Sequence, residues 1–177
     1  MLSIKSFLNS LIMKKYKFTI PFIFLFFLCN SHASDLNLFN FFVLNVIDGD
    51  TIKVKLENNK IKKIRFSAID APEINQTHGI ESKKFLFNLI YKKKIKFHKL
   101  GNDRYGRLLG IIYFDDMDIN LEMIINGHAW VYRKYLRTIP KKYRNSYKSA
   151  EKKAKSGKIG LWKNTDVQPP WVWRSLN

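Results

Sequence analysis

The sequence of 177 residues holds a single cysteine, Cys29, and that residue falls in an N-terminal segment that reads as an export signal. The chain expected after its removal has none. Disulfides, thiol chemistry and cysteine-ligated metals are thereby excluded from it, even in an oxidising compartment. Acidic residues are also scarce, 14 Asp and Glu standing against 32 Lys and Arg for a net charge of +18. That balance points to a polyanionic partner, either nucleic acid or an anionic membrane surface, with a solvated basic surface as the plain alternative. Five prolines and eight glycines are spread along the chain, and no internal repeat or low-complexity linker interrupts it. Long apolar runs are missing too. The apolar stretch Phe18 to Cys29 is about half of the roughly 20 residues needed to span a bilayer, so no membrane anchor is expected.

Lys14, Lys15 and Lys17 precede that stretch, and Ser31-His32-Ala33 closes it with the small residues a signal peptidase accepts. Residues 1–33 therefore read as a cleaved signal peptide, and Met13 begins a self-sufficient signal of its own. Leu28 is too bulky before Cys29 for a lipoprotein site. Loss of residues 1–33, which hold four lysines and no acids, would leave residues 34–177 as one domain with a net charge of +14. This is enough chain for a real core. The product is expected in the periplasm or outside the cell, as a monomer without stable membrane insertion.

Along the rest of the chain, Phe41 to Ile47 reads as a strand. Ile52, Val54 and Leu56 alternate with Lys53, Lys55 and Glu57 at the period of a half-buried strand. Asp48-Gly49 and Asn58-Asn59 supply turns. Ile61 to Ile69 is predicted as a third strand with Ile64, Phe66 and Ala68 on one face and Arg65 on the other. Phe85, Leu86, Leu89 and Ile90 share one side of a helix. Lys94 to Lys99 and Arg107 to Phe114 are further strands. Asn120 to Ile125 is a short helix that Gly127 caps, and a last helix begins near Pro140 with Tyr143, Tyr147, Ala150 and Ala154 inward. Its outer face carries Lys141, Lys142, Arg144, Lys148, Lys152 and Lys153. Five strands in a curled meander with helices interposed and appended make a mainly β, α+β fold: a five-stranded Greek-key barrel of the OB type.

Three segments carry chemistry: Asp48-Gly49-Asp50, then Arg65 to Glu73 (RFSAIDAPE), then Asp103-Arg104-Tyr105-Gly106-Arg107. Each alone reads as turn or loop structure. Together they supply what phosphodiester hydrolysis requires. Asp50 and Asp70 offer oxygen ligands to a hard cation such as Ca²⁺. Glu73 can orient or deprotonate water, and Arg65 and Arg107 have the planar fork that grips phosphate.

VIDGDT, IRFSAIDAPE and NDRYGR, in this order and with these gaps, resemble the motifs of the staphylococcal nuclease (thermonuclease) family. The resemblance runs from about Phe42 to Trp162. The segment Gly127 to Tyr135, Gly160-Leu161-Trp162 and the tail Gln168 to Arg174 resemble exported and plasmid-borne Gram-negative members. The resemblance implies an OB barrel with three helices and Ca²⁺-dependent cleavage of DNA and RNA at the 5′ P–O bond, leaving 3′-phosphates and 5′-hydroxyls. It also implies metal ligands at Asp50, Asp70 and the Ala71 carbonyl, where the family more often has threonine. Glu73 matches the catalytic glutamate, Arg65 and Arg107 match the two catalytic arginines, and Arg104 and Tyr105 match a lysine and tyrosine that hold substrate phosphate. Tyr132 and Tyr135 lie near nucleotide-contacting tyrosines, with different spacing. The loop after Glu73 is shorter than in the staphylococcal enzyme.

Other features read as structure. Asp115-Asp116-Met117-Asp118 lacks the glutamate of an EF-hand at the twelfth position and reads as a hairpin turn followed by a helix cap. His78, His98 and His128 have no zinc-ligand spacing. Trp162, Trp171 and Trp173 are expected to pin the tail to the barrel. The alternatives to an enzyme are a non-catalytic OB-fold nucleic-acid-binding module, which would be expected to lack one of the five catalytic side chains, and a membrane-active protein. The last helix has no Leu/Phe/Trp face for lipid insertion.

Overall fold

The computed structural model describes residues 38–177; the signal peptide, its cleavage site, Met13 and Cys29 lie outside the described residues. Strand β1 (Leu38–Val46) pairs antiparallel with β2 (Thr51–Lys55), and β2 with β3 (Ile61–Phe66). The alternation read from the sequence sets this meander, since Ile52, Val54, Ile64 and Phe66 are buried while Lys53 and Lys55 stay in water. On the other side β1 pairs with β5 (Lys94–Asn102), β5 with β6 (Leu108–Phe114), and β6 with the short β7 (Met117–Asp118). A parallel pairing of β3 with β6, Ile64 to Phe66 against Leu108 to Gly110, closes five strands into a barrel. Register shifts at Val43/Asn45 and at Lys99/Gly101 mark bulges, which bend strands as closure requires.

The third strand is shorter than predicted. The chain leaves β3 at Phe66, turns through Ser67 and Ala68, and resumes as β4 (Ile69–Asp70), which pairs with β8 (Trp130–Val131) in a separate two-stranded sheet. Ala68 takes the left-handed conformation (φ 62°), which costs a residue with a Cβ about a kilocalorie or more. Hydrogen bonds from Ser67 N to Gly110 O and from Tyr132 N to Ala68 O hold it there. Buried Asn120 braces the same corner by donating to Ser67 O and accepting from Ile112 N.

Helix α1 (Gly79–Ile90) buries Leu86 and Ile90, with Phe85 and Leu89 partly covered, as their spacing predicts. Asp115 and Asp116 make the expected turn, and Asp118 caps α2 (Ile119–Ile125) by accepting from Leu121 N. Gly127 ends that helix with φ 64°. In α3 (Lys141–Ser156) Tyr147, Ala150 and Ala154 are buried and Tyr143 is partly covered. Glu151 joins them inside, accepting from Val131 N and pairing with Arg133. Arg144, placed by its spacing on the solvated face, instead donates to Ile139 O and Arg137 O. A fourth helix, α4 (Pro170–Leu176), stands where three helices were expected. Pro169 and Pro170 open it, because a missing N–H costs nothing in a first turn. Among the described residues no helix is long and apolar enough to cross a membrane.

Candidate active site

The strands deliver their charged ends to one cleft of about 700 Å³, into which all the residues singled out from the three motifs and both tyrosines converge. Asp50 follows a tight turn in which Asp48 Oδ1 accepts from Asp50 N at 2.9 Å. Gly49 packs so closely under α1 that a Cβ there would meet Ser82 Oγ. The Asp50 side chain is buried; Oδ1 accepts from Thr51 Oγ1 at 3.0 Å and Oδ2 from Ala71 N at 2.7 Å. Asp70 reaches the same place from β4 and is 1% exposed.

Arg65 links the two carboxylates. Its Nη1 lies 2.8 Å from Asp50 Oδ2, and its Nη2 lies 2.6 Å from Asp70 Oδ1. Nη1 also donates to Phe66 O and Ile69 O, which locks the guanidinium across the Ser67–Ala68 turn. Burial nonetheless holds Asp50 well above the usual carboxylate range; Arg65 works against that rise, and the charges of Asp48 and Asp70 add to it. Two buried carboxylates thus meet at this point with Arg65 spanning them.

Arg107 lies at the far wall. Asp103 accepts from Arg107 N at 2.9 Å and pairs with Arg107 Nε at 2.6 Å. Burial raises the Asp103 pKa, but the hydrogen bonds from Arg107 and Tyr105 outweigh it and leave the carboxyl below its ordinary value. The contact holds the guanidinium by its inner edge, and among the described residues its terminal nitrogens have no carboxylate partner. Tyr105, 68% exposed, has Arg104 and Arg107 over its ring at 4.8 and 5.7 Å. Tyr132 and Tyr135 meet edge to face. Trp171 stacks on Tyr132 at 5.3 Å, which leaves Tyr135 as the more open ring.

Arg174 was not singled out by the motifs. From α4 its Nη2 lies 2.8 Å from Asp70 Oδ2 and its Nη1 lies 2.6 Å from Glu73 Oε1. Burial lowers its pKa, but the hydrogen bonds it donates to Asp70 and Glu73 outweigh this and raise it. The available signal was one arginine set among Pro169, Pro170, Trp171 and Trp173, a charge in a segment otherwise built to pack. Glu73 itself is placed by the loop before α1, where its N–H donates to Gln76 Oε1 at 3.1 Å. Two of the three histidines, His78 and His128, meet in space. His78 Nε2 lies 3.0 Å from His128 Nδ1, and Phe85 stacks on His128. Burial, then the neighbouring His78, lowers the His128 pKa to about 4, so the pair is neutral near pH 7.

The chain is similar in sequence to known proteins. A family model described as "Staphylococcal nuclease homologue" matches residues 63–164. A Haemophilus influenzae protein named "Uncharacterized endonuclease" is 38% identical over 132 residues, covering 75% of this chain and 71% of the relative. One of the same name from Escherichia coli is 39% identical over 133 residues, covering 75% and 82%. The "Micrococcal nuclease" of Shigella flexneri is 34% identical over 142 residues, covering 75% and 78%. Both the barrel and the sequence similarity lead to one conclusion: the chain belongs to the staphylococcal nuclease family and is a nuclease.

Proposed function

We propose that this protein is an exported, monomeric, Ca²⁺-dependent nuclease that cleaves DNA and RNA at the 5′ P–O bond, leaving 3′-phosphates and 5′-hydroxyls. The observation that carries the reading is the convergence of Asp50, Asp70, Glu73, Arg65 and Arg107 in one cleft of a strongly basic protein. The bond cleaved and the export follow the family resemblance and the N-terminal pattern.

The donor chemistry fits a hard cation. Asp50 and Asp70 are buried and offer only oxygen. Among the described residues no group of three or more His, Cys, Asp or Glu side chains forms a metal cluster. Asp50 and Asp70 would be the two side-chain ligands of Ca²⁺, with the Ala71 carbonyl and water completing the set. Bound there, the cation would screen the negative charge of the scissile phosphate. Glu73, on the accessible side of the carboxylate group, would orient or deprotonate the attacking water. Arg107, with Asp103 fixing its inner edge, presents two nitrogens to non-bridging oxygens, and Arg65 supports them from the opposite wall. Arg104 and Tyr105 would hold the flanking phosphate, and Tyr135, with Tyr132 behind it, would stack on a base.

The test is degradation of single-stranded DNA, duplex DNA and RNA by the purified protein, with Ca²⁺ and with excess chelator, beside Glu73→Gln. Cleavage that needs Ca²⁺ and vanishes in Glu73→Gln is expected, with 3′-phosphate ends on the products. Chelator-resistant cleavage by the purified protein would overturn the calcium reading. Salt-sensitive binding without cleavage would favour the non-catalytic binding module.

A further inference from the structure

We propose that α4 is a tethered counter-ion for this active site: Arg174 covers Asp70 and Glu73 while no divalent cation is bound, so that cation binding and docking of the tail compete. The inference rests on the calcium reading above.

The geometry is a clamp. One guanidinium touches a carboxylate assigned to the metal and the carboxylate assigned to the water, at 2.8 and 2.6 Å. A cation on Asp70 would need the oxygens this fork now uses. The charges agree. When ionised, Asp50, Asp70 and Glu73 carry three negative charges, which Arg65 and Arg174 offset by two. A divalent ion together with Arg65 balances all three, and Arg174 becomes surplus charge beside a cation.

The attachment suits a part that can leave. Pro170 is the fully buried residue of α4, Trp171, Val172 and Trp173 are half-buried, and Arg174 itself is 41% exposed at its side chain. Two further contacts dock the tail on the cleft, Trp171 against Tyr132 and Gln76 Nε2 donating to Gln168 O. A C-terminal helix of seven residues with one fully buried side chain belongs to the less stable end of a fold. The same step that frees Asp70 therefore also uncovers a face of Tyr132, so cation binding would prepare the nucleotide platform. Coupling of this kind is reciprocal.

The experiment is calorimetric titration of the purified protein with Ca²⁺, without nucleic acid, for the wild type, Arg174→Gln and Trp171→Ala. If the docked state holds about nine tenths of the population, removing Arg174 tightens the apparent Kd about tenfold. Trp171→Ala, which loosens the tail and leaves every carboxylate in place, is expected to shift the Kd in the same direction. Unchanged or weaker Ca²⁺ binding by Arg174→Gln overturns the inference and leaves the calcium reading standing. Absence of Ca²⁺ binding by all three proteins overturns the calcium reading, and the inference with it.

Discussion

Gly79→Ala tests how the position of Glu73 is set. A Cβ on residue 79 would lie 1.8 Å from the Glu73 carbonyl oxygen and 2.7 Å from its carbonyl carbon. Real Cβ atoms stay at least 3.0 Å from such neighbours, so a gap of 1.2 Å must open. The obstructing atoms are backbone and cannot rotate away. Nor can α1 readily retreat, because Leu86 and Ile90 are fully buried and Ser82 Oγ donates to His128 O at 2.7 Å. The loop that carries Glu73 yields instead. A misplacement of about 1 Å costs on the order of 10²-fold in rate, or about 2.7 kcal/mol of barrier. Alanine suits the first turn of a helix better than glycine does, so a collapse of helix propensity cannot account for the loss. The assay is steady-state cleavage of single-stranded DNA at saturating Ca²⁺, with the melting temperature measured in parallel. Gly101→Ala is the control, since a Cβ there meets nothing within 4 Å. A folded Gly79→Ala protein with turnover within threefold of wild type would refute the argument that this contact places a catalytic glutamate.

Arg107→Lys keeps a charge but loses the fork and the Nε contact with Asp103, so turnover should fall by about 10²–10³-fold while calorimetric Ca²⁺ affinity holds; near-normal turnover would remove Arg107 from the catalytic set. Burial, against hydrogen bonds from Leu121 and Tyr147, raises the Asp118 pKa from 3.8 to about 6. The folded state thus favours the protonated acid, and this stabilising contribution is present below about pH 4 and is lost as pH rises through 6. Asp118→Asn keeps a capping oxygen and should gain up to about 3 kcal/mol at pH 7 and almost nothing at pH 4 in urea denaturation; equal stability of the two proteins at both values would contradict the assignment.

The barrel was legible wherever period-two alternation met a turn, as in Ile52 and Val54 against Lys53 and Lys55. The grouping of the charged motifs was legible because each sits in or beside a connection between strands that a closed barrel gathers at one end. The left-handed Ala68 was not, because its support comes from Gly110 and Tyr132, far along the chain. Glu151 carries no local pattern that marks it as buried; the distant Val131 N–H and Arg133 account for its place inside. The tail aromatics announced packing but not the surface they pack on. Arg174 was hidden for that reason: ion pairing across the molecule leaves no local period to read.

The parallel seam between β3 and β6 has a consequence for the time at which the protein becomes a nuclease. Ile64 to Phe66 cannot close the barrel until Leu108 to Gly110 have been made, and pairings so distant in sequence form late. Arg65 and Arg107 flank that seam, so the cleft has only one wall while the chain is incomplete. The turn that joins Arg65 to Asp70 waits longer still, because Gly110 O and Tyr132 N hold it and Ile69–Asp70 pairs with Trp130–Val131. The assembled cleft is thus a property of the chain completed at least to Tyr132.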